Sequence, residues 1–235
     1  MLDALSVKHF RNVLEIGCGT GALTLHLSAL TDKFSAIDIS PRMLQVANNK
    51  LANFQNDHRS CDLILADILN LPANIREQYF DAIFFWGNGI THIPPDRYDD
   101  FVNIVSQILT ENGFIIIQLR NGKKWIEFLR SFDLVGKSDS NSHYLFIYSP
   151  RFPSVGDMFE AVMITVALDS SETRIVPYVV TEPIQAYFND CNLLLQCFEK
   201  KGIKLIRTLT SVSYNCAQIW ILQRGGYKTG NDQSF

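Results

Sequence analysis

The stretch Val13-Leu14-Glu15-Ile16-Gly17-Cys18-Gly19-Thr20-Gly21 decides how this chain is read. Residues 12–16 form a short apolar run that stops at a glycine cluster, which reads as a buried strand. Glycines at its end permit a tight turn and let backbone approach a ligand without a Cβ in the way. Leu23, Leu27 and Leu30 then recur at helical spacing, so a helix is expected over 21–30. A strand, a glycine turn and a helix N-terminus make a site with free N–H groups. Asp38 closes the next apolar run, seventeen residues beyond Gly21, where a carboxylate can accept hydrogen bonds from both hydroxyls of a ribose.

Working outward, strands are expected at 34–39, 62–66, 80–86 and 113–119, the last after an Asn112-Gly113 turn. Ser40 and Pro41 have the character of an N-cap and a first helical residue for a helix towards Phe54. Residues 95–109 and 122–132 read as helices. Strands alternating with helices imply a doubly wound, mainly parallel α/β sheet. The pattern then changes. Residues 136–142 read as a loop, and 144–148, 158–168 and 173–180 as antiparallel strands. Thr181 is expected to cap a helix from Pro183 to Gly202, and 203–210 with 215–223 form a last strand pair. The organisation expected is a Rossmann-like core over 1–135, an antiparallel acceptor-side insertion over 136–182, a completing helix and strand pair over 183–224, and a polar, mobile tail over 225–235.

Composition narrows the class. The chain has 235 residues, 47% apolar and 19% charged, which excludes disordered and collagen-like chains. Its net charge of −3 favours neither a nucleic-acid backbone nor an anionic membrane, so neither partner is expected. Apolar runs are strand-sized, far short of the roughly 20 residues of a membrane span. The first ten residues are not a secretory signal. Five cysteines are scattered without a CxxC pair or zinc spacing. They fit a reducing cytoplasm and no metal site.

Two readings of the glycine segment compete. Gly17, Gly19 and Ala22 satisfy the relaxed dinucleotide pattern G-x-G-x-x-G/A, with Asp38 for the ribose. Against this, Glu15 stands two residues before the first glycine. An acid there repels a pyrophosphate and attracts a cation. A third acid, Asp67, ends the third strand within Ala66-Asp67-Ile68-Leu69-Asn70-Leu71-Pro72. The glycine segment resembles motif I of class I S-adenosylmethionine-dependent methyltransferases. The segments 38–44 and 66–72 resemble the two motifs that follow it. Further on, Trp86-Gly87-Asn88-Gly89-Ile90-Thr91-His92 and Gln118-Leu119-Arg120-Asn121 resemble the strand ends of the glycine and sarcosine N-methyltransferase group. That resemblance implies a seven-stranded methyltransferase sheet with the antiparallel insertion after the fifth strand.

The resemblance also implies residue roles. Glu15, Gly17, Cys18 and Gly19 would serve the methionine end of S-adenosyl-L-methionine, passed by Trp86 and Gly87. Asp38 would hold the ribose, Ile39 and Met43 the adenine face, and Asp67 and Ile68 the adenine edge. Asn88 and Arg120 would face the acceptor, with Arg120 gripping a carboxylate. His92 is the base candidate, and Tyr144 matches a tyrosine near the transferred methyl. The activity implied is N-methylation of a small amine, one bearing a carboxylate, with S-adenosyl-L-homocysteine as product. Small-molecule O-methylation and cofactor binding without turnover stay open, as does association between copies of the chain. Members of that group carry some tens of helical residues before motif I, whereas twelve precede Val13. A lid is therefore expected from the insertion or another subunit, or is missing because the chain is truncated.

Overall fold

The structure is a computed structural model that describes residues 9–28, 30–52, 61–130, 135–138, 143–149, 154–168, 175–180, 184–210 and 217–225. For 128–130, 135–138, 143–149, 161–168, 175–180 and 184 it describes the backbone alone. The first eight residues and the tail beyond Gly225 lie outside the described residues.

Seven strands form one sheet: β1 (Phe10–Ile16), β2 (Thr31–Asp38), β3 (Cys61–Leu65), β4 (Phe80–Phe85), β5 (Leu109–Arg120), β11 (Ile203–Thr210) and β12 (Ala217–Arg224), in the order β11-β12-β5-β4-β1-β2-β3. Pairings among β1 to β5 are parallel, and β12 runs antiparallel to both its neighbours. Strands in the middle are apolar at nearly every position because both faces are covered. Ile83, Phe85, Ile115 and Ile117 pack on one face with Phe101, Val105 and Phe198. Ala82, Phe84 and Ile116 pack on the other with Val13, Leu27 and Phe34. Each fully buried Phe or Ile contributes about 1.5–3 kcal/mol by leaving water.

The helices are α1 (Thr24–Ser28), α2 (Pro41–Ala52), α3 (Ala73–Arg76), α4 (Tyr98–Ile108), α5 (Gly122–Arg130) and α6 (Cys191–Lys200). A 3₁₀ turn at Gly89–His92 follows β4. Among the described residues no helix is long and apolar enough to cross a membrane.

A second, antiparallel sheet holds β6 (Val135–Ser138), β7 (His143–Ser149), β8 (Met158–Leu168), β9 (Ile175–Val180) and β10 (Ile184–Tyr187), in the order β10-β8-β7-β6 with β9 also on β8. It meets the core through an aromatic cluster. Trp125 of α5 packs edge-on to Phe159 at 5.1 Å and against Phe188 at 5.0 Å.

Four local expectations are corrected. Helix α1 starts at Thr24, because Gly21 sits at φ 76°, outside right-handed helical space. Strand β5 starts at Leu109. Asn112, at φ 64°, and Gly113 form an irregularity inside it, where Phe80 pairs Leu109 and Ala82 pairs Phe114. Residues 135–138 are strand β6, paired with β7, rather than loop. The expected helix from Pro183 is strand β10, with Ala186 and Phe188 buried and Gln185 exposed in a period of two. Helix α6 begins only at Cys191, where the Asp190 carboxylate accepts from the N–H groups of Asn192 (3.1 Å) and Leu193 (3.0 Å). That cap is worth about 1 kcal/mol.

Candidate functional site

The carboxyl ends of β1, β2, β3 and β4 surround a cavity of about 630 Å³. It sits where the strand order reverses, between β1's neighbours β2 and β4. Open α/β sheets bind ligands at such crevices.

The glycine turn forms one wall. Gly17, Gly19 and Gly21 all have positive φ, at 66°, 55° and 76°. The turn is tied to β2 by Asp38, whose Oδ2 accepts the Gly19 N–H at 2.8 Å and whose Oδ1 accepts the Ser40 N–H at 2.8 Å. Each carboxylate oxygen has a second lone pair, so both can still accept a ligand hydroxyl. Cys18 lies buried within the turn, its thiol pushed up to about 12 by burial and then by the nearby Glu15 and Asp38 charges. It stays a neutral thiol near pH 7.

Glu15 is 2% exposed and lines the cavity floor. Its Oε2 accepts from the Thr24 hydroxyl at 2.6 Å. Burial raises its carboxyl from 4.5 to about 7, the Thr24 hydrogen bond opposes the rise, and the Asp38 charge adds to it. The opposite rim carries Ile39, which is 70% exposed, and Met43 from α2. Asp67 and Ile68 follow β3, and Asp67 Oδ1 accepts the Leu69 N–H at 2.9 Å. Trp86 and Gly87 close the wall after β4.

Phe85 sits behind two of these walls. A Cβ on Gly17 would come within 3.4 Å of its ring, and one on Gly89 would collide with it. Both loops therefore rest on the same aromatic.

The acceptor-side candidates fall differently. His92 lines the cavity, and its Nδ1 is 3.1 Å from the Gln185 carbonyl of β10. A carbonyl only accepts, so Nδ1 carries the proton and Nε2 is the basic nitrogen of the neutral ring. Asn88 and Arg120 do not line this cavity. Asn88, at φ 65°, accepts the Arg120 N–H on Oδ1 at 3.0 Å, so its carboxamide oxygen staples two strand ends rather than facing open space. The Arg120 guanidinium lies 4.5 Å over the Trp125 ring, a cation–π contact, and among the described residues no carboxylate pairs with it. Tyr144 lies on β7, and its side chain is outside the described residues.

Three positioning groups escaped the sequence reading. Gln118 Oε1 accepts the Gly87 N–H at 2.8 Å and holds the Trp86-Gly87 turn. Asn189 donates from Nδ2 to the Arg120 carbonyl at 3.1 Å. Gln185 orients His92 through its backbone. Only Gln118 left a signal, as a polar residue inside an otherwise apolar strand.

The lining combines a carboxylate tied to the glycine turn, exposed apolar side chains on the rim and a buried acid near that turn. Residues 13–113 match a family model described as "Methyltransferase domain". A demethylmenaquinone methyltransferase of Tropheryma whipplei (strain Twist) is 46% identical over 79 residues, 34% of this chain and 30% of that protein. Glycine N-methyltransferase of Oryctolagus cuniculus is 26% identical over 132 residues, 52% of this chain and 44% of that protein. The chain thus spans less than half the length of either relative. A solved S-adenosylmethionine-dependent methyltransferase from Clostridium acetobutylicum superposes with a TM-score of 0.76 at 19% identity, covering 96% of this chain and 89% of the other. The chain therefore has the α/β methyltransferase fold, and its region 13–113 matches a methyltransferase domain.

Proposed function

We propose that this chain is an S-adenosyl-L-methionine-dependent methyltransferase acting on a small molecule, with an amine that bears a carboxylate as acceptor. The observation that carries the reading is the acid at the cavity floor. Glu15 is buried beside Asp38, and among the described residues no Lys or Arg side chain lines the cavity. A dinucleotide pyrophosphate would face two carboxylates there; a cationic ligand is attracted by them.

S-adenosylmethionine supplies a methyl group already activated on a sulfonium. The chain's work is alignment and exclusion of water, and orientation supplies up to about 7–11 kcal/mol in favourable cases. Asp38 holds the ribose and fixes the glycine turn with the same carboxylate. Ile39, Met43 and Ile68 cover the adenine, and Asp67 accepts from its amino group. Trp86, Gly87 and the backbone at Gly17–Gly19 flank the methionine end.

Arg120, stacked on Trp125 and free of an ion pair among the described residues, is the fork for an acceptor carboxylate. Its link to Asn88 joins the two segments on which the glycine and sarcosine N-methyltransferase reading rests.

The fixed tautomer of His92 favours a second reading, O-methylation, because a hydroxyl acceptor needs a base and Nε2 is available as one. Calorimetric titration with S-adenosylhomocysteine, with NAD as control, tests the cofactor reading. Micromolar binding with NAD silent supports it, and binding of NAD alone overturns it. Methyl transfer to a panel of amines and hydroxyl compounds then separates the two acceptors. Tight cofactor binding with no transfer to any of them leaves a binding protein.

A further inference from the structure

Glu15 has more built around it than a cofactor contact requires. It is 2% exposed, yet only one of its oxygens has a partner, the Thr24 hydroxyl. The other accepts no hydrogen bond among the described residues, and the side chain lines the cavity. Among the described residues no Lys or Arg side chain lines the cavity with it, and Lys50 of α2 donates to the Thr20 hydroxyl of the glycine turn at 3.1 Å. Helix α1 contributes Thr24, β2 contributes Asp38, and the glycine turn and β3 contribute the thiols Cys18 and Cys61. Beside it on β4 is Phe84, which has no ionisable group. Both thiols are pushed up to about 12, so neither titrates near neutrality. His92, on the turn after β4, and Asp67, just past β3, line the same cavity.

We propose that Glu15 is a proton-linked charge sensor for the cavity: its carboxyl gives up a proton when a cationic ligand enters and regains it when the ligand loses that charge. The inference rests on the cofactor reading above and adds to it that cofactor charge and proton uptake are one equilibrium. Burial and Asp38 both oppose the ionised form, with the carboxyl near 7. A sulfonium and an ammonium in the cavity favour the ionised form. S-adenosylhomocysteine keeps the ammonium and has a neutral sulfur, so it favours that form less. Glu15 thereby separates substrate cofactor from spent cofactor by charge, with the gap growing as pH rises towards neutrality.

The test is calorimetric titration of the full chain with S-adenosylmethionine and with S-adenosylhomocysteine, each in buffers of different ionisation enthalpy, at pH 6 and pH 7. The slope of heat against buffer enthalpy counts protons without reference to turnover. The wild type should release about half a proton per S-adenosylmethionine at pH 7 and more at pH 6, and fewer per S-adenosylhomocysteine. Glu15→Gln keeps an acceptor for Thr24 and should bind with that release gone. Thr24→Val removes the bond that favours the carboxylate and should raise the release at pH 7, which keeps the test open if Glu15→Gln fails to fold. Binding without proton release in the wild type, or equal release in Glu15→Gln, overturns the inference while leaving the cofactor reading intact. No binding of either compound by the wild type overturns the cofactor reading and this inference with it.

Discussion

The cavity wall made by the ends of β1, β2 and β3 differs in kind from the neighbouring region made by β4, β5 and the second sheet. The first is local. Glu15 to Gly21 is one turn of chain, and Asp38 closes it with two hydrogen bonds to backbone N–H groups. The second is assembled across distance. Arg120 is fixed by Asn88, Asn189 and Trp125, and His92 by Gln185, ninety-three residues away. On the proposed function, the cofactor is held by a motif and the acceptor by a composite.

That contrast can be broken by substitution, and the largest effect belongs to the local wall. Asp38→Ala removes two charge-assisted hydrogen bonds to the glycine turn and the proposed ribose contact, and should weaken S-adenosylhomocysteine binding by roughly 100-fold, read by calorimetry.

Glu15→Gln sharpens the same wall through stability. The folded carboxyl titrates at about 7 and the unfolded one near 4.5, so the folded chain keeps a proton the unfolded chain has lost. The stability this gives is full below the unfolded value and is lost as pH rises through the folded one. Relative to wild type, Glu15→Gln should therefore gain about 2–3 kcal/mol between pH 5 and pH 8, measured by urea unfolding at both.

Arg120→Ala tests the composite region. It should raise KM for a carboxylate-bearing acceptor by about tenfold or more, with cofactor Kd and the KM of a neutral hydroxyl acceptor almost unmoved. An equal loss for both acceptors would mean that Arg120 serves the strand ends alone. The smallest effect is expected at the rim. Ile39→Ala should weaken cofactor binding only two- to fourfold, because the side chain is 70% exposed before any ligand covers it.

The same division explains what could be read from the sequence. Each residue expected at the cofactor, from Glu15 to Gly87, lies on the cavity wall, because each sits at or just past a parallel strand's carboxyl end. Strand ends are visible as apolar runs that stop. Asn88 was visible as a residue, but its partner was not: a turn at φ 65° aims its carboxamide at the end of β5. The start of α6 was misread for a similar reason. Residues 184–187 have no strong strand pattern of their own, and pairing with β8 makes them a strand. The Asn112-Gly113 pair has the local chemistry of a hairpin turn, but the parallel partner β4 keeps it inside β5. In each case tertiary pairing outweighed local preference.

Phe85 carries one more consequence. Because Gly17 and Gly89 abut the same edge of that ring from two different loops, the seating of both loops depends on that aromatic. It acts as a shared stop. A smaller side chain at position 85 would let both loops settle inward, even though no residue that touches a ligand had changed. The glycines and the phenylalanine are thus one dimension of the cavity written in three places, and a viable change at any of them has to be matched at the others.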